Sequence, residues 1–218
     1  MTFSVARRNM VDSQIRTNRV TDPLLLDALG AVPREEFVPK AIRGIAYVDD
    51  DLDIGAGRCL MEPMVLARLL QLAEINPSDV VLDVGCATGY SSGVLAGIAA
   101  TVLALESDPD LSEEAAAVLA AQGVDNVAVV TGPLDEGYPA QAPYDVIVFQ
   151  GAIGAVPERI RAQLADGGRL VAVVQDGPIG RATLITRTGD AFGRRVAFDA
   201  SVSPLPGFVP KAGFVFLS

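Results

Sequence analysis

The eleven residues 80–90, VVLDVGCATGY, restrict most tightly what this chain can become. An apolar run, Val80 to Val84, is broken by one carboxylate, Asp83, and ends on Gly85. Small residues follow, and Tyr90 to Ala99 reads as a helix. This is a buried strand turned sharply into a helix. The rhythm then repeats. Strands are expected at Thr101 to Leu105, Val127 to Val130, Val146 to Phe149 and Leu170 to Val174. Helices are expected at Leu111 to Gln122, stopped by Gly123, and at Pro157 to Leu164, closed by Gly167-Gly168. Strands alternating with helices predict a parallel sheet covered on both faces. After Gly177 the helices cease. Ala182 to Thr188, Arg194 to Phe198 and Phe214 to Leu217 read as strands, with a turn at Thr188-Gly189-Asp190. The expected class is α/β: a doubly wound, mostly parallel sheet with an antiparallel C-terminal edge.

Upstream the texture is different. Met10, Val11 and Ile15 share one helical face, and Thr21-Asp22-Pro23 opens a helix that Gly30 stops. A polar loop is expected through Asp49, Asp50 and Asp51, a solvated run rather than a metal site. Pro63 opens a helix with an apolar stripe of Val65, Leu66, Leu69, Leu70 and Leu72. Residues 1–60 are expected to form a helical and loop extension packed on a core of residues 61–218, the two making one structural unit. The apolar stripes near the N-terminus leave a homo-oligomer open.

Composition removes whole classes of function. Lys plus Arg is 17 and Asp plus Glu is 27, a formal charge of −10. Such an acidic chain is a poor holder of nucleic acid, which needs a surplus of cations. Arg7, Arg8, Arg16 and Arg19 cluster, but are expected to be a solvated face. There is no histidine. Ser-His-Asp and Cys-His nucleophiles and His-liganded metals are therefore excluded. The two cysteines, Cys59 and Cys86, are too few for a disulfide scaffold or a zinc cluster. No signal segment opens the sequence, and the longest small-apolar run, Gly93 to Leu105, is too short to span a bilayer. A cytoplasmic protein without a membrane partner is expected.

The candidate chemistry lies at the carboxyl edge of the sheet, where open α/β folds bind ligands. The small residues Gly85, Cys86, Ala87, Thr88 and Gly89 let a ligand approach the backbone, and Tyr90 begins the helix. Glu106 closes the next strand, seventeen residues after Gly89. There it can accept both hydrogen bonds of a ribose diol, with Ser107 beside it. Gln150 follows a further strand on the same edge and is expected to line the pocket. Nicotinamide, flavin and S-adenosylmethionine proteins share these features. The spacing Gly85-x-x-x-Gly89 does not match the dinucleotide fingerprint. Asp83 would repel a pyrophosphate and suits an ammonium, such as the methionine end of S-adenosylmethionine. An S-adenosylmethionine site, with S-adenosylhomocysteine as product, is the reading.

VLDVGCATGY, then LALE, then NVAVVTGPLDEGYPAQAPYDVIV resemble the Rossmann-like methyltransferases, and specifically the protein-L-isoaspartate O-methyltransferase family. Val32-Pro33-Arg34-Glu35-Glu36-Phe37-Val38-Pro39, Ala46 to Asp49 and Leu52 to Gly55 resemble its N-terminal part, so the likeness covers about residues 25 to 175. The resemblance implies methyl transfer from S-adenosylmethionine to an isoaspartyl carboxylate in damaged protein or peptide. Three departures stand out. The family's G-Q-x-I-S-Q-P segment reads Gly57-Arg58-Cys59-Leu60-Met61-Glu62-Pro63 here. Arg58, Met61 and Glu62 are the expected acceptor-side residues, with Arg58 as a carboxylate clamp. The G-D-G segment reads Gly132-Pro133-Leu134, so the acceptor for the adenine amino group is missing and Pro133 and Leu134 are expected to flank the ring. Ala87 replaces a glycine, tolerable unless its φ is positive. A different methyl acceptor and a non-catalytic cofactor binder are the competing readings.

Overall fold

The computed structural model describes residues 2–208, so the strand expected at Phe214 to Leu217 lies outside the described residues. Helix α1 (Phe3–Asn9) runs on through a π-helical stretch, Met10–Ile15, whose buried side is Met10, Val11 and Ile15. Helix α2 (Pro23–Ala31) starts at the expected signal: Asp22 accepts from the Leu25 N–H at 3.1 Å, and Pro23 sits where a missing N–H costs nothing. Strands β1 (Leu52–Gly55) and β2 (Arg58–Leu60) form an antiparallel hairpin at the end of the stretch expected to hold only helix and loop. Strands this short show too little alternation to be read from sequence. Helix α3 (Pro63–Leu72) follows.

Then come β3 (Val80–Val84), α4 (Tyr90–Ala96), β4 (Thr101–Glu106), α5 (Pro109–Ala121) and β5 (Val127–Thr131). The chain continues with β6 (Tyr144–Ile153), α6 (Glu158–Arg161), β7 (Leu164–Asp176), β8 (Ile179–Thr188) and β9 (Ala191–Asp199). Helix α6 ends earlier than expected. The Gln163 carbonyl accepts from the Tyr144 N–H at 2.9 Å, which draws the chain into the sheet and leaves Gly167-Gly168 inside an irregular stretch of β7.

The seven-stranded sheet has the order β5-β4-β3-β6-β7-β8-β9. The first five are parallel, and β8 and β9 add an antiparallel edge. Alternation along each strand splits the interior in two. Val81, Val102, Val146, Val148 and Val171 face the layer that holds α2, α3 and α4. Leu82, Val84, Leu105, Ile147 and Phe149 face the other, with Ile160, Leu205 and Phe208. After β9 the chain returns to the tip of β6. The Ala152 N–H donates to the Ser203 carbonyl and the Leu205 N–H to the Ala152 carbonyl, each at 2.9 Å. Among the described residues no helix is long and apolar enough to cross a membrane.

Candidate active site

The ends of β3 and β4 set the site. Gly85 and Gly89 have φ of 80° and 92°, values that glycine alone adopts freely. The Gly85 and Cys86 N–H groups both donate to the Leu105 carbonyl, at 2.8 and 3.1 Å, which bends the loop over the tip of β4. Ala87 also has a positive φ, 52°, the condition under which its methyl is not tolerated freely. The loop is held from outside by Thr88, whose hydroxyl donates to the Phe37 carbonyl at 2.6 Å.

Asp83 is fully buried on the α4 side of β3. Its Oδ2 accepts from the Ser91 and Ser92 hydroxyls and its Oδ1 from Gln150 Nε2, each at 2.6 Å. Burial raises its pKa, and these three hydrogen bonds oppose the rise. In this arrangement Asp83 anchors the first turn of α4 and the tip of β6. Tyr90 is packed rather than open: its ring meets Phe37 edge-on at 5.7 Å and lies under the Arg34 guanidinium at 4.7 Å. Cys86 is buried, and burial pushes its thiol well above the usual value.

Glu106 is also fully buried. Its Oε2 accepts from the Ala87 N–H at 2.8 Å. Its Oε1 accepts from the Ser107 N–H at 2.7 Å, the Ser107 hydroxyl at 3.2 Å and the Asp108 N–H at 3.2 Å. The same Oε1 takes Arg58 Nη1 at 2.5 Å. Arg58 Nη2 donates to the Gly85 carbonyl at 2.7 Å. The structure places Arg58, expected as a clamp for the acceptor, on Glu106, the carboxylate expected to take the ribose. A side chain on Gly85 would meet Leu205 Cδ2 at 2.7 Å, Arg58 Nη2 at 3.0 Å and Leu134 Cδ1 at 3.5 Å. Leu134 is buried beside the loop, and the Gly132 N–H closes the neighbouring turn onto the Glu106 carbonyl at 2.9 Å.

The 58–62 segment, expected on the acceptor side, is braced on both flanks. Arg34, fully buried, donates through Nε to the Ala46 carbonyl at 2.8 Å and through Nη2 to the Met61 carbonyl at 2.7 Å. Burial lowers the Arg34 pKa. Met61 is buried, and the Glu62 N–H donates to Asp51 Oδ1 at 2.9 Å. Glu62 is pushed up to about 7, first by loss of solvent and then by Asp49, Asp51 and Asp50. The acidic run is thus structural in part: Asp51 Oδ2 also accepts from the Ser203 N–H and hydroxyl. Arg7 departs likewise from a solvated face, donating to the Tyr47 hydroxyl and the Ala31 carbonyl. Ser91, Ser92, Asp51 and Leu205 complete the site without any motif to mark them.

This geometry can be set beside known proteins. The family model described as protein-L-isoaspartate(D-aspartate) O-methyltransferase matches residues 6–198. The chain belongs to that family. Its relatives include a protein-L-isoaspartate O-methyltransferase of Methylorubrum populi, 40% identical over 95% of this chain and 98% of the relative. Protein-L-isoaspartate O-methyltransferase 1 of Rhodopseudomonas palustris is 41% identical over 85% of this chain and 76% of the relative. A proposed β-aspartate methyltransferase of Plasmodium falciparum, crystallised with S-adenosyl-L-homocysteine, shares the fold with a TM-score of 0.79. It is 17% identical over 91% of this chain and 97% of that one. As a protein-L-isoaspartate O-methyltransferase family member, the chain is an S-adenosylmethionine-dependent methyltransferase.

The donor set matches that cofactor in kind but not in arrangement. The glycine loop and Glu106 are where a nucleoside would be held. Yet Oε1 of Glu106 is crowded by four of the chain's own donors, and Arg58 and Leu205 cover the open face of Gly85. As arranged, the residues do not fit the nucleoside.

Proposed function

We propose that this chain methylates the free carboxylate of isoaspartyl residues in proteins or peptides, with S-adenosylmethionine as donor. The observation that carries the reading is the family match over residues 6–198, on a chain whose glycine loop and strand-end carboxylate stand side by side. The chemistry suits a protein without histidine. A carboxylate with a pKa of about 4 is already ionised at neutral pH, so no general base is needed. What the protein must supply is alignment and exclusion of water. Asp83, through Ser91, Ser92 and Gln150, fixes α4 against the tips of β3 and β6. Arg34 fixes the 58–62 segment through the Met61 carbonyl.

Met61 and Glu62 favour a second reading, in which the acceptor differs. Met61 offers no hydroxyl, and Glu62 above its raised pKa would repel a carboxylate. Transfer of labelled methyl to an isoaspartyl peptide, as a base-labile ester and with no transfer to the matching aspartyl peptide, supports the first reading. Labelling of another group, with the isoaspartyl peptide untouched, replaces it with the second.

A further inference from the structure

The cradle and its own occupant point to how the site is loaded. We infer that Arg58 is a latch on Glu106, holding the position that the ribose diol needs, so that the nucleoside and Arg58 compete for one carboxylate. The inference rests on the proposal that S-adenosylmethionine is the donor.

A carboxylate has about four lone-pair positions. On Glu106, Oε1 already receives four donors, Arg58 Nη1, the Ser107 and Asp108 N–H groups and the Ser107 hydroxyl, whereas Oε2 receives one, the Ala87 N–H. A diol held by both oxygens needs one position on each, and the one on Oε1 must be vacated. The three backbone donors are fixed, because Ala87 belongs to the loop and Ser107 and Asp108 continue directly from β4. Asp108 also caps α5 by accepting from the Asp110 and Leu111 N–H groups at 2.9 and 3.2 Å. The Ser107 hydroxyl holds only a long bond. Arg58 is the one charged donor on a flexible stem, so it is the group that can leave.

Its second contact sharpens the case. Nη2 lies against Gly85, 3.0 Å from where a Cβ would stand. Glycine at that position leaves a face through which a ligand can approach the backbone. In this chain the guanidinium approaches there instead, bridging Glu106 and the Gly85 carbonyl with two adjacent nitrogens. The pair is almost wholly enclosed, with 3% of the Arg58 side chain and none of Glu106 exposed. Such a pair is held by geometry as well as charge, since separating buried partners is costly. The nucleoside therefore binds against a standing interaction.

Isothermal titration with S-adenosylhomocysteine tests this without any turnover. R58Q keeps a polar side chain that cannot ion-pair with Glu106. It should bind S-adenosylhomocysteine about tenfold more tightly than the native chain. The gain should vanish for the 2′,3′-dideoxy analogue, which has no diol to claim Glu106. If R58Q loses its native circular dichroism, R58K replaces it. One ammonium cannot bridge both oxygens in the same way, and a gain of about threefold is expected. Binding that is equal or weaker in the folded variant, or a gain that persists with the dideoxy analogue, overturns the latch while the donor assignment stands. Absence of binding in the native chain and in every folded variant overturns both.

Discussion

Asp51 and Ser203 lie 152 positions apart in sequence, and one carboxylate oxygen of Asp51 takes both the N–H (2.9 Å) and the hydroxyl (3.1 Å) of Ser203. The other oxygen takes the Glu62 N–H. Asp51 thus ties the return segment, which carries Leu205, to the 58–62 segment. D51N supplies only one acceptor oxygen and sets an amide N–H against a donor. It should destabilise the fold by about 1–3 kcal/mol, read by urea unfolding. Hydrogen exchange at the Ser203 and Glu62 amides should quicken together. Exchange unchanged at both would dissociate the two segments.

Ala87 holds a φ that glycine adopts at little cost. The left-handed conformation costs an L-residue about 1–2 kcal/mol, partly offset by the greater freedom of an unfolded glycine. A87G should therefore raise stability by up to about 1 kcal/mol, seen as a higher urea midpoint with unchanged slope. A lower midpoint would mean that the methyl contributes more by packing than it loses by strain.

Glu62 gives the site a pH dependence. Its pKa is about 7 in the folded protein, above the ordinary 4.5. Between those values the folded state holds the extra proton, so stability falls as pH rises through this window. Above pH 7 the ionised Glu62 faces the Asp49–Asp51 cluster. E62Q should melt higher than the native chain at pH 8, and the difference should close by pH 5. An equal difference at both pH values would assign the effect to something other than titration.

Arg34 is a buried cation whose partners are two carbonyls and the face of Tyr90. R34M keeps an unbranched stem of similar bulk but strands the Ala46 and Met61 carbonyls. A loss of about 2–4 kcal/mol is expected from unmade hydrogen bonds and the lost cation–π contact. Thermal unfolding monitored by circular dichroism measures it; a variant as stable as the native chain would show that Arg34 does not brace the 58–62 segment.

The parallel strands and the glycine loop were legible because they are local. Apolar runs bounded by Gly85 and Gly123, and the Asp22-Pro23 cap, carry their structure in a few adjacent residues. The site was legible only by type. Glu106 closes β4, and Asp83 and Gln150 lie near the same ends of β3 and β6, but Asp83–Gln150 and Glu106–Arg58 join distant segments. Nothing local to Arg58 announces Glu106, 48 positions away. Leu205 looks like any apolar residue until the return to β6 lays it over Gly85. The β1–β2 hairpin leaves no mark in the sequence because three or four residues hold no measurable period. The early end of α6 reflects a sheet bond to Gln163 that outweighs a local helical pattern.

The two thiols sit in opposite surroundings. Cys86 is sealed in the loop with its ionisation suppressed, whereas Cys59 is partly open on β2, directly beside Arg58. Because Cys86 is buried and Cys59 is reachable from solvent, alkylating dyes have a strong preference for one address. Successive side chains of a strand leave opposite faces, so a fluorophore there would stand across β2 from the guanidinium and report movement of the hairpin that carries Arg58, without a substitution in the chain.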